Sequence, residues 1–79
     1  MITVYVVLIN DRHADLEVEL FTQPNVAIAR ARTLAKEYCR REEDYEEFRI
    51  ANWLFYAKYS VEGDWVRVIE RELVQVEHD

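Results

Sequence analysis

The chain has 79 residues, of which 51% are hydrophobic and 33% charged, and 16 Asp and Glu against 10 Lys and Arg give a net charge of -6. This length fits one domain, residues 1–79, and the composition is typical of a globular protein. The acidic balance disfavours direct nucleic-acid binding, which depends on neutralising phosphates with basic side chains. A single cysteine excludes an internal disulfide, and no segment has the apolar length of a membrane span. We therefore expect a cytoplasmic protein.

Two strands are predicted at the start of the chain. Residues 2–10 are rich in β-branched and aromatic side chains, and both faces of this strand are apolar. A turn at 11–15 follows, and in residues 16–21 apolar side chains alternate with carboxylates, which is typical of an edge strand. The set predicted to face the core is Leu16, Val18 and Leu20, and the set predicted to face water is Glu17 and Glu19.

A helix is predicted next, beginning in the segment 22–25. Thr22 or Asn25 is the candidate N-cap, and Pro24 is tolerated in the first turn. One apolar stripe follows at helical spacing, formed by Ala27, Ala31, Leu34, Ala35 and Tyr38. Because the stripe is mostly alanine, the helix axis can lie close to the sheet. The helix is expected to end within residues 41–48.

A second hairpin is predicted to complete the chain. Residues 49–60 read as a strand that is apolar on both faces, and Gly63 in the turn 61–64 is free to adopt a positive φ. The last strand is expected over 65–76, with a bulge or the end of regular pairing at 69–74. The predicted fold class is therefore α+β: a four-stranded antiparallel sheet, β-β-α-β-β in strand order 2-1-3-4, with one helix packed on one face.

Two central strands with two apolar faces raise the question of what covers the second face. One helix of about 18 residues is roughly 27 Å long and covers one face of such a sheet. Leaving six or more apolar side chains in water forfeits on the order of 10 kcal/mol. We therefore expect a second cover, which is a homodimer partner, a different protein, or the segment 70–79 folded back over the sheet.

The candidate contacts come from this sheet and from an acidic segment. Small residues at Ala51 and Ala57 favour a helix lying over them, which would turn Ile50, Leu54 and Tyr56 outward. In the segment 41–48, a tyrosine surrounded by carboxylates could anchor a partner that carries Arg or Lys. The candidate protein contacts are Tyr5, Tyr45, Glu46, Glu47, Ile50, Trp53, Leu54, Phe55 and Tyr56.

No catalytic, cofactor or metal site is predicted. Asp11, His13 and Asp15 alternate and could touch a metal ion, but Asp is common in turns for backbone reasons. One serine, Ser60, and one glycine cannot supply a catalytic triad or a phosphate-binding loop. Cys39 falls within the helical pattern and reads as a small hydrophobic residue.

Several functions are compatible with these patterns. The sequence favours a small non-enzymatic protein-interaction module, which self-associates or binds another protein through the sheet face and acidic loops. The β-β-α-β-β order of elements on a short acidic chain is similar to that of some small phage-encoded inhibitors of bacterial defence complexes. That resemblance is one of architecture alone, and with the acidic charge of the chain it suggests an inhibitor that binds a basic, nucleic-acid-binding protein surface. Nucleic-acid binding by the helix is another alternative, with contacts at Arg32, Lys36 and Arg40, and a small-ligand pocket at a dimer seam is a third.

Overall fold

The structure, a computed structural model, describes residues 2–13 and 17–73, which form one antiparallel sheet with a helix across one face. The elements in chain order are β1 (Ile2–Asn10), β2 (Glu17–Phe21), α1 (Pro24–Tyr38), a single 3₁₀ turn (Glu42–Asp44), β3 (Glu46–Ile50), β4 (Trp53–Lys58) and β5 (Trp65–Leu73). The strand order is β2-β1-β5-β4-β3, and every neighbouring pair is antiparallel. The predicted α+β class is confirmed.

The predicted strand count and strand order are wrong. The segment expected as one strand over 49–60 is divided by a turn at 51–52, and its first part belongs to β3, which begins at Glu46. β1 lies beside β5 and not beside residues 49–60. Nine consecutive residue pairs join β1 to β5, from Ile2↔Leu73 to Asn10↔Trp65. Two strands of equal length satisfy each other's backbone groups more completely than a nine-residue strand and a six-residue strand.

The irregular pairing lies elsewhere than predicted. β1 and β5 pair without a bulge through Leu73, and residues 74–76 lie outside the described residues. The register shifts instead between Phe48 and Ile50, in the β3–β4 hairpin. β4 ends its pairing with β5 at Phe55↔Val68. Residues 70–73 are part of β5, so they do not fold back over the sheet, and 74–79 are outside the described part.

Helix α1 is shorter than predicted at its C-terminal end. Pro24 occupies the first turn, as expected. The N-cap is Gln23 and, within the described residues, makes no side-chain capping bond, so the predicted N-caps Thr22 and Asn25 are wrong. Extended backbone at Cys39 ends the helix, although its N–H still donates to Ala35 O at 3.0 Å. The segment 41–48 therefore contains the 3₁₀ turn and the first three residues of β3.

The core lies between α1 and the face of the sheet that it covers. Most of the predicted stripe is buried, and the helical alanines pack against the valines of the central strands. The fully buried residues of this interface are Ala27, Ala31, Ala35, Ala57, Val7, Val66 and Val68. Ala57 lies under the helix as expected, but Ala51 is exposed in the turn 51–52. Close approach of helix and sheet therefore depends on Ala57 and not on Ala51.

The two faces of edge strand β2 are reversed relative to the prediction. The register pairs Val18 with Leu8 and Leu20 with Val6, which all point away from α1. Glu19 lies on the helix side, where its carboxylate accepts from Arg30 Nε at 3.0 Å. Glu19 was expected to face solvent, but it forms an ion pair with Arg30 of the helix instead. Leu16 lies outside the described residues.

The β4–β5 turn has the predicted glycine conformation. Gly63 has a φ of 95°, in the left-handed region that favours glycine. Its N–H donates to Ser60 O at 3.3 Å, and Tyr59 N–H donates to Asp64 O at 3.1 Å. These bonds close the turn directly before β5.

Candidate functional site

The sheet has a surface turned away from α1, which we call the open face. Across the described residues, the only helix longer than one turn packs on the opposite face. The strand register places on the open face Ile2, Val4, Val6, Leu8 and Asn10 of β1, Val18 and Leu20 of β2, Trp65, Arg67, Ile69, Arg71 and Leu73 of β5, Trp53, Tyr56 and Lys58 of β4, and Glu46, Phe48 and Ile50 of β3.

One side of the open face is aliphatic. Ile2 is 61% exposed, Leu20 60% and Val18 53%, and Val6 and Leu8 are half-buried between them. Within the described parts of β1 and β2, no charged side chain points to this face. We call these five residues the aliphatic half. Fully burying one such side chain is worth roughly 1.5–3 kcal/mol, so this half is a strong site for a second apolar surface.

The other side of the open face is aromatic and cationic. The ring of Tyr56 lies 5.0 Å from Trp53, 5.6 Å from Phe48 and 6.1 Å from Trp65, measured between centroids. The guanidinium of Arg67 lies 4.7 Å from the ring centroid of Trp53 and 4.8 Å from that of Trp65. Both distances are within the cation–π range. These five residues form the aromatic half of the open face.

The open face is positive although the chain is acidic. Among the described residues it carries Lys58, Arg67 and Arg71 against one carboxylate, Glu46. The other described carboxylates lie on α1, on the helix side of the sheet, or in turns. They include Glu19 and Glu47, which pair with arginines of α1, and the 3₁₀ turn Glu42–Asp44. The two sides of the sheet therefore differ in the sign of their charge.

Several predicted contacts are joined to each other on the helix side. Arg32 donates from Nε to Glu47 Oε2 at 2.9 Å and from Nη2 to Glu47 Oε1 at 3.1 Å. Tyr45 donates its hydroxyl hydrogen to Glu47 Oε2 at 2.6 Å, and Lys36 Nζ lies 5.6 Å from the ring centroid of Tyr45. The hydrogen bond from Arg32 is the main cause that lowers the pKa of Glu47. This network connects β3 to α1.

The remaining predicted contacts lie in different environments. Phe55 is buried in the core, and Tyr5 packs against that core from the helix side. Ile50 and Leu54 are exposed where the β3–β4 hairpin turns, and they line an open depression with Trp53. The others are spread over the open face and the surface: Glu46 opposite Lys58, Trp53 and Tyr56 in the aromatic half, and Arg40 exposed after α1. The structure does not bring all nine predicted protein contacts to one surface.

Four open-face residues were not considered as contacts from the sequence: Val18, Leu20, Trp65 and Arg67. Ile2 belongs to one of the two faces of β1 that could have stayed uncovered, but it was not among the candidate contacts. For Val18 and Leu20 the alternation was recognised but assigned to the core. In β5 the period-two pattern puts Trp65 and Arg67 on one face and Val66 and Val68 on the other. The small valines mark the helix side, so this pattern was the signal that could have identified the open face.

A polar cleft of about 520 Å³ lies at the end of the sheet where the turns meet α1. The buried Tyr59 donates its hydroxyl hydrogen to Asp11 Oδ2 at 2.6 Å, and this bond is the main cause that lowers the pKa of Asp11. Asp64, also buried, accepts from Arg12 N at 2.8 Å and from Ser60 Oγ at 2.9 Å. These bonds join the β1–β2 turn to the β4–β5 turn.

The candidate metal residues of the first turn have another role in the structure. Asp11 Oδ1 accepts the backbone N–H of His13 at 2.8 Å, and His13 Nε2 lies 3.2 Å from Glu62 Oε2. Asp15 lies outside the described residues. In the described ranges 2–13 and 17–73, no group of three or more His, Cys, Asp or Glu side chains is placed to hold a metal ion.

Comparisons with protein-family models, with curated proteins and with solved structures find no match to this chain. Of the helical residues that the structure describes, no stretch is long and apolar enough to cross a bilayer.

Proposed function

We propose that this chain is a small non-enzymatic protein-interaction module, which binds an acidic and partly apolar segment of another protein on its open face. The observation that carries the proposal is the combination of exposed aliphatic side chains with an excess of cations on one sheet surface. Cys39 is free and half-buried, which suits a reducing compartment such as the cytoplasm.

The size of the open face supports an interface. The five strands contain 34 residues in all, and at about 3.3 Å along a strand and 4.8 Å between strands they cover roughly 540 Å². A standard protein–protein interface buries about 800 Å² on each partner. Exposed apolar side chains grouped on one surface mark interaction sites. The face is smaller than one side of a standard interface and is large enough for a peptide segment of a partner.

The charge of the face favours a foreign acidic partner over a second copy. A symmetric contact between two open faces would bring Lys58, Arg67 and Arg71 of both copies together, which costs free energy through like-charge repulsion. An acidic segment meets these cations with opposite charge while its apolar side chains cover Val18 and Leu20. The same sign argues against a basic partner at this face.

Helix-mediated nucleic-acid binding receives less support. Arg32 is engaged with Glu47 and Lys36 lies against Tyr45, so two of the three predicted contacts already interact within the chain. Proteins that bind single-stranded nucleic acid stack the bases on aromatic side chains. In this chain the aromatic cluster lies on the opposite side of the sheet from α1.

The proposal is tested by selecting binders from a random peptide library with the wild-type chain. Binders are counter-selected on the Leu20→Glu variant, which places a charge in the aliphatic half. We expect enriched peptides to combine Asp or Glu with Leu, Phe or Trp, and to lose binding to Leu20→Glu. Enrichment of basic peptides, or peptides that bind both proteins equally, would contradict the proposal.

Solution mass supplies the second arm of this test. Light scattering over a wide range of concentrations is expected to show a monomer for wild type and for Leu20→Glu. A wild-type dimer that dissociates in the variant would show that a second copy occupies the open face, and would replace the foreign partner. Circular dichroism shows whether Leu20→Glu keeps the fold, which is expected because its side chain is exposed.

A further inference from the structure

We infer that Arg67 is the receptor for a carboxylate of the bound segment, so that the partner supplies an Asp or Glu side chain at the aromatic half. This inference rests on the proposed function and specifies the chemistry at one point of the same surface. Two observations carry it: the contacts that hold the guanidinium, and its unused hydrogen-bond donors.

The guanidinium of Arg67 is held in place by its neighbours. It lies within 5 Å of the ring centroids of both tryptophans, Trp53 and Trp65. Its residue pairs with Leu8 on one neighbouring strand and with Tyr56 on the other, near the middle of the sheet. A guanidinium fixed by packing loses little conformational entropy when it binds, because its orientation is already set.

The donors of Arg67 are not satisfied within the described chain. Three other arginines, Arg30, Arg32 and Arg41, each lie within 3.3 Å of a carboxylate oxygen. For Arg67 no hydrogen bond or ion pair with a described residue is found, and its Nε is buried without a partner. Nη1 and Nη2 have no partner among the described residues either, and the residue as a whole is only half-buried. A planar pair of N–H groups matches a carboxylate with two parallel hydrogen bonds.

The surroundings favour a carboxylate on a peptide over the phosphates of a nucleic acid. The aromatic rings contact each other and Arg67, which leaves less free ring surface for stacked bases. The open face carries three cations on a chain whose net charge is -6, which makes it a weak phosphate-binding footprint. The adjacent aliphatic half offers contacts that a peptide can use and a sugar–phosphate backbone cannot.

Tryptophan fluorescence reports this site directly, because the chain contains two tryptophans and both contact Arg67. The probes are a short peptide of Leu and Glu in equal number and its twin with Gln in place of every Glu. We expect wild type to bind the Glu peptide about 10- to 100-fold more tightly, as a charged bidentate bond predicts. Arg67→Gln and Arg67→Lys are expected to lose most of this preference, since lysine keeps the charge but not the planar fork.

Arg71→Gln is the matched comparison, because it removes one cation from the same face and strand. Arg71 donates to Glu70 O and has no tryptophan ring held against it, so this variant should weaken binding of the Glu peptide, but clearly less than Arg67→Gln does. If Arg67→Lys prefers the Glu peptide as strongly as wild type, the inference is overturned and the proposed function stands. If wild type binds neither peptide, both are overturned.

Two further probes test whether Arg67 binds a phosphate group instead of a carboxylate. Inorganic phosphate and a thymidine oligonucleotide are titrated under the same conditions. Weaker binding of both than of the Glu peptide is expected. Tighter binding of the oligonucleotide, lost in Arg67→Gln, would overturn the inference in favour of nucleic acid. Equal loss of binding in Arg71→Gln and Arg67→Gln would show a general charge effect and would also overturn it.

Discussion

Arg32 of α1 and Glu47 of β3 form a bidentate ion pair, with N–O distances of 2.9 and 3.1 Å. The pair joins the outermost strand of the sheet to the helix, and Tyr45 adds a third hydrogen bond to the same carboxylate. Residues that the sequence placed in two different candidate sites, one for nucleic acid and one for protein, therefore neutralise each other. Their role in this arrangement is to position β3.

Glu47→Gln should weaken this connection. Both side chains of the pair are partly exposed, so we expect the free energy of unfolding to fall by about 0.5–1 kcal/mol. The pKa of Glu47 is lowered in the fold, so its contribution is present above the unfolded pKa and is lost as pH falls through the folded value. Urea unfolding near neutral pH and near pH 3 measures both effects.

A double-mutant cycle with Arg32→Gln isolates the pair, because it subtracts what each side chain does alone. Glu46→Gln is the control, since this neighbouring carboxylate points to the other face. The Arg32–Glu47 interpretation fails if the two substitutions are additive, or if Glu46→Gln costs as much as Glu47→Gln.

The sequence predicted the buried stripe of α1 and two special backbone positions correctly. Ala27, Ala31, Leu34 and Ala35 form the buried stripe that their spacing indicated. Pro24 and Gly63 occupy the positions that their restricted or permissive backbones suggest. Such features depend on residues that are close together in the chain, so they can be predicted from a single sequence.

Strand partners could not be predicted in the same way. β1, β4 and β5 all carry apolar residues on both faces, so hydropathy alone did not distinguish the neighbours of β1. For β2 the predicted alternation was correct, but an alternation alone does not show whether the apolar or the acidic side chains face the helix. Glu19 could face α1 only because Arg30 lies opposite it, and that pairing depends on the tertiary arrangement. The candidate site inherited this error, because Val18 and Leu20 were assigned to the core.

Two leucines should show the difference between the faces. Leu20 is 60% exposed on the open face, whereas Leu34 is 3% exposed under the sheet. Leu34→Ala is expected to lower the free energy of unfolding by about 2–4 kcal/mol, through lost burial and a cavity. Leu20→Ala should change it by less than about 0.5 kcal/mol. Urea unfolding of both variants measures this, and equal losses would mean that Leu20 is covered in solution.

Gly63→Ala tests the turn before β5. A Cβ built at this position meets no described atom within 4 Å, so the cost comes from the backbone and not from crowding. At a φ of 95° an L-residue is strained by roughly 1–2 kcal/mol. Gly63→Asn should recover part of this loss, because asparagine tolerates the left-handed region better. Thermal unfolding compares the three proteins, and an alanine variant as stable as wild type would contradict the assigned conformation.

Tyr59 and Asp11 should make stability depend on pH at both ends of the range. Burial, and then the hydrogen bond to Asp11, raise the pKa of Tyr59 well above its usual value near 10. The stability from the protonated hydroxyl is therefore complete below pH 10 and is lost as pH rises further. The pKa of Asp11 is lowered from 3.8, mainly by the bond from Tyr59, so its contribution is present above that value and is lost as pH falls below it.

Tyr59→Phe removes the shared cause of both shifts. We expect a loss of about 1–2 kcal/mol near neutral pH, where the buried hydrogen bond is intact in wild type. The difference between variant and wild type should then shrink near pH 3 and above about pH 10.5, because Asp11 becomes protonated and Tyr59 becomes ionised in the unfolded chain there, which offsets the stability from their bond. Tyr38→Phe is the control, since Tyr38 is more exposed and its ring lies 6.2 Å from that of Tyr59. Urea unfolding across this pH range measures the free energies of unfolding. If the difference between Tyr59→Phe and wild type stays constant with pH, the Tyr59–Asp11 bond is not the cause of the pH dependence.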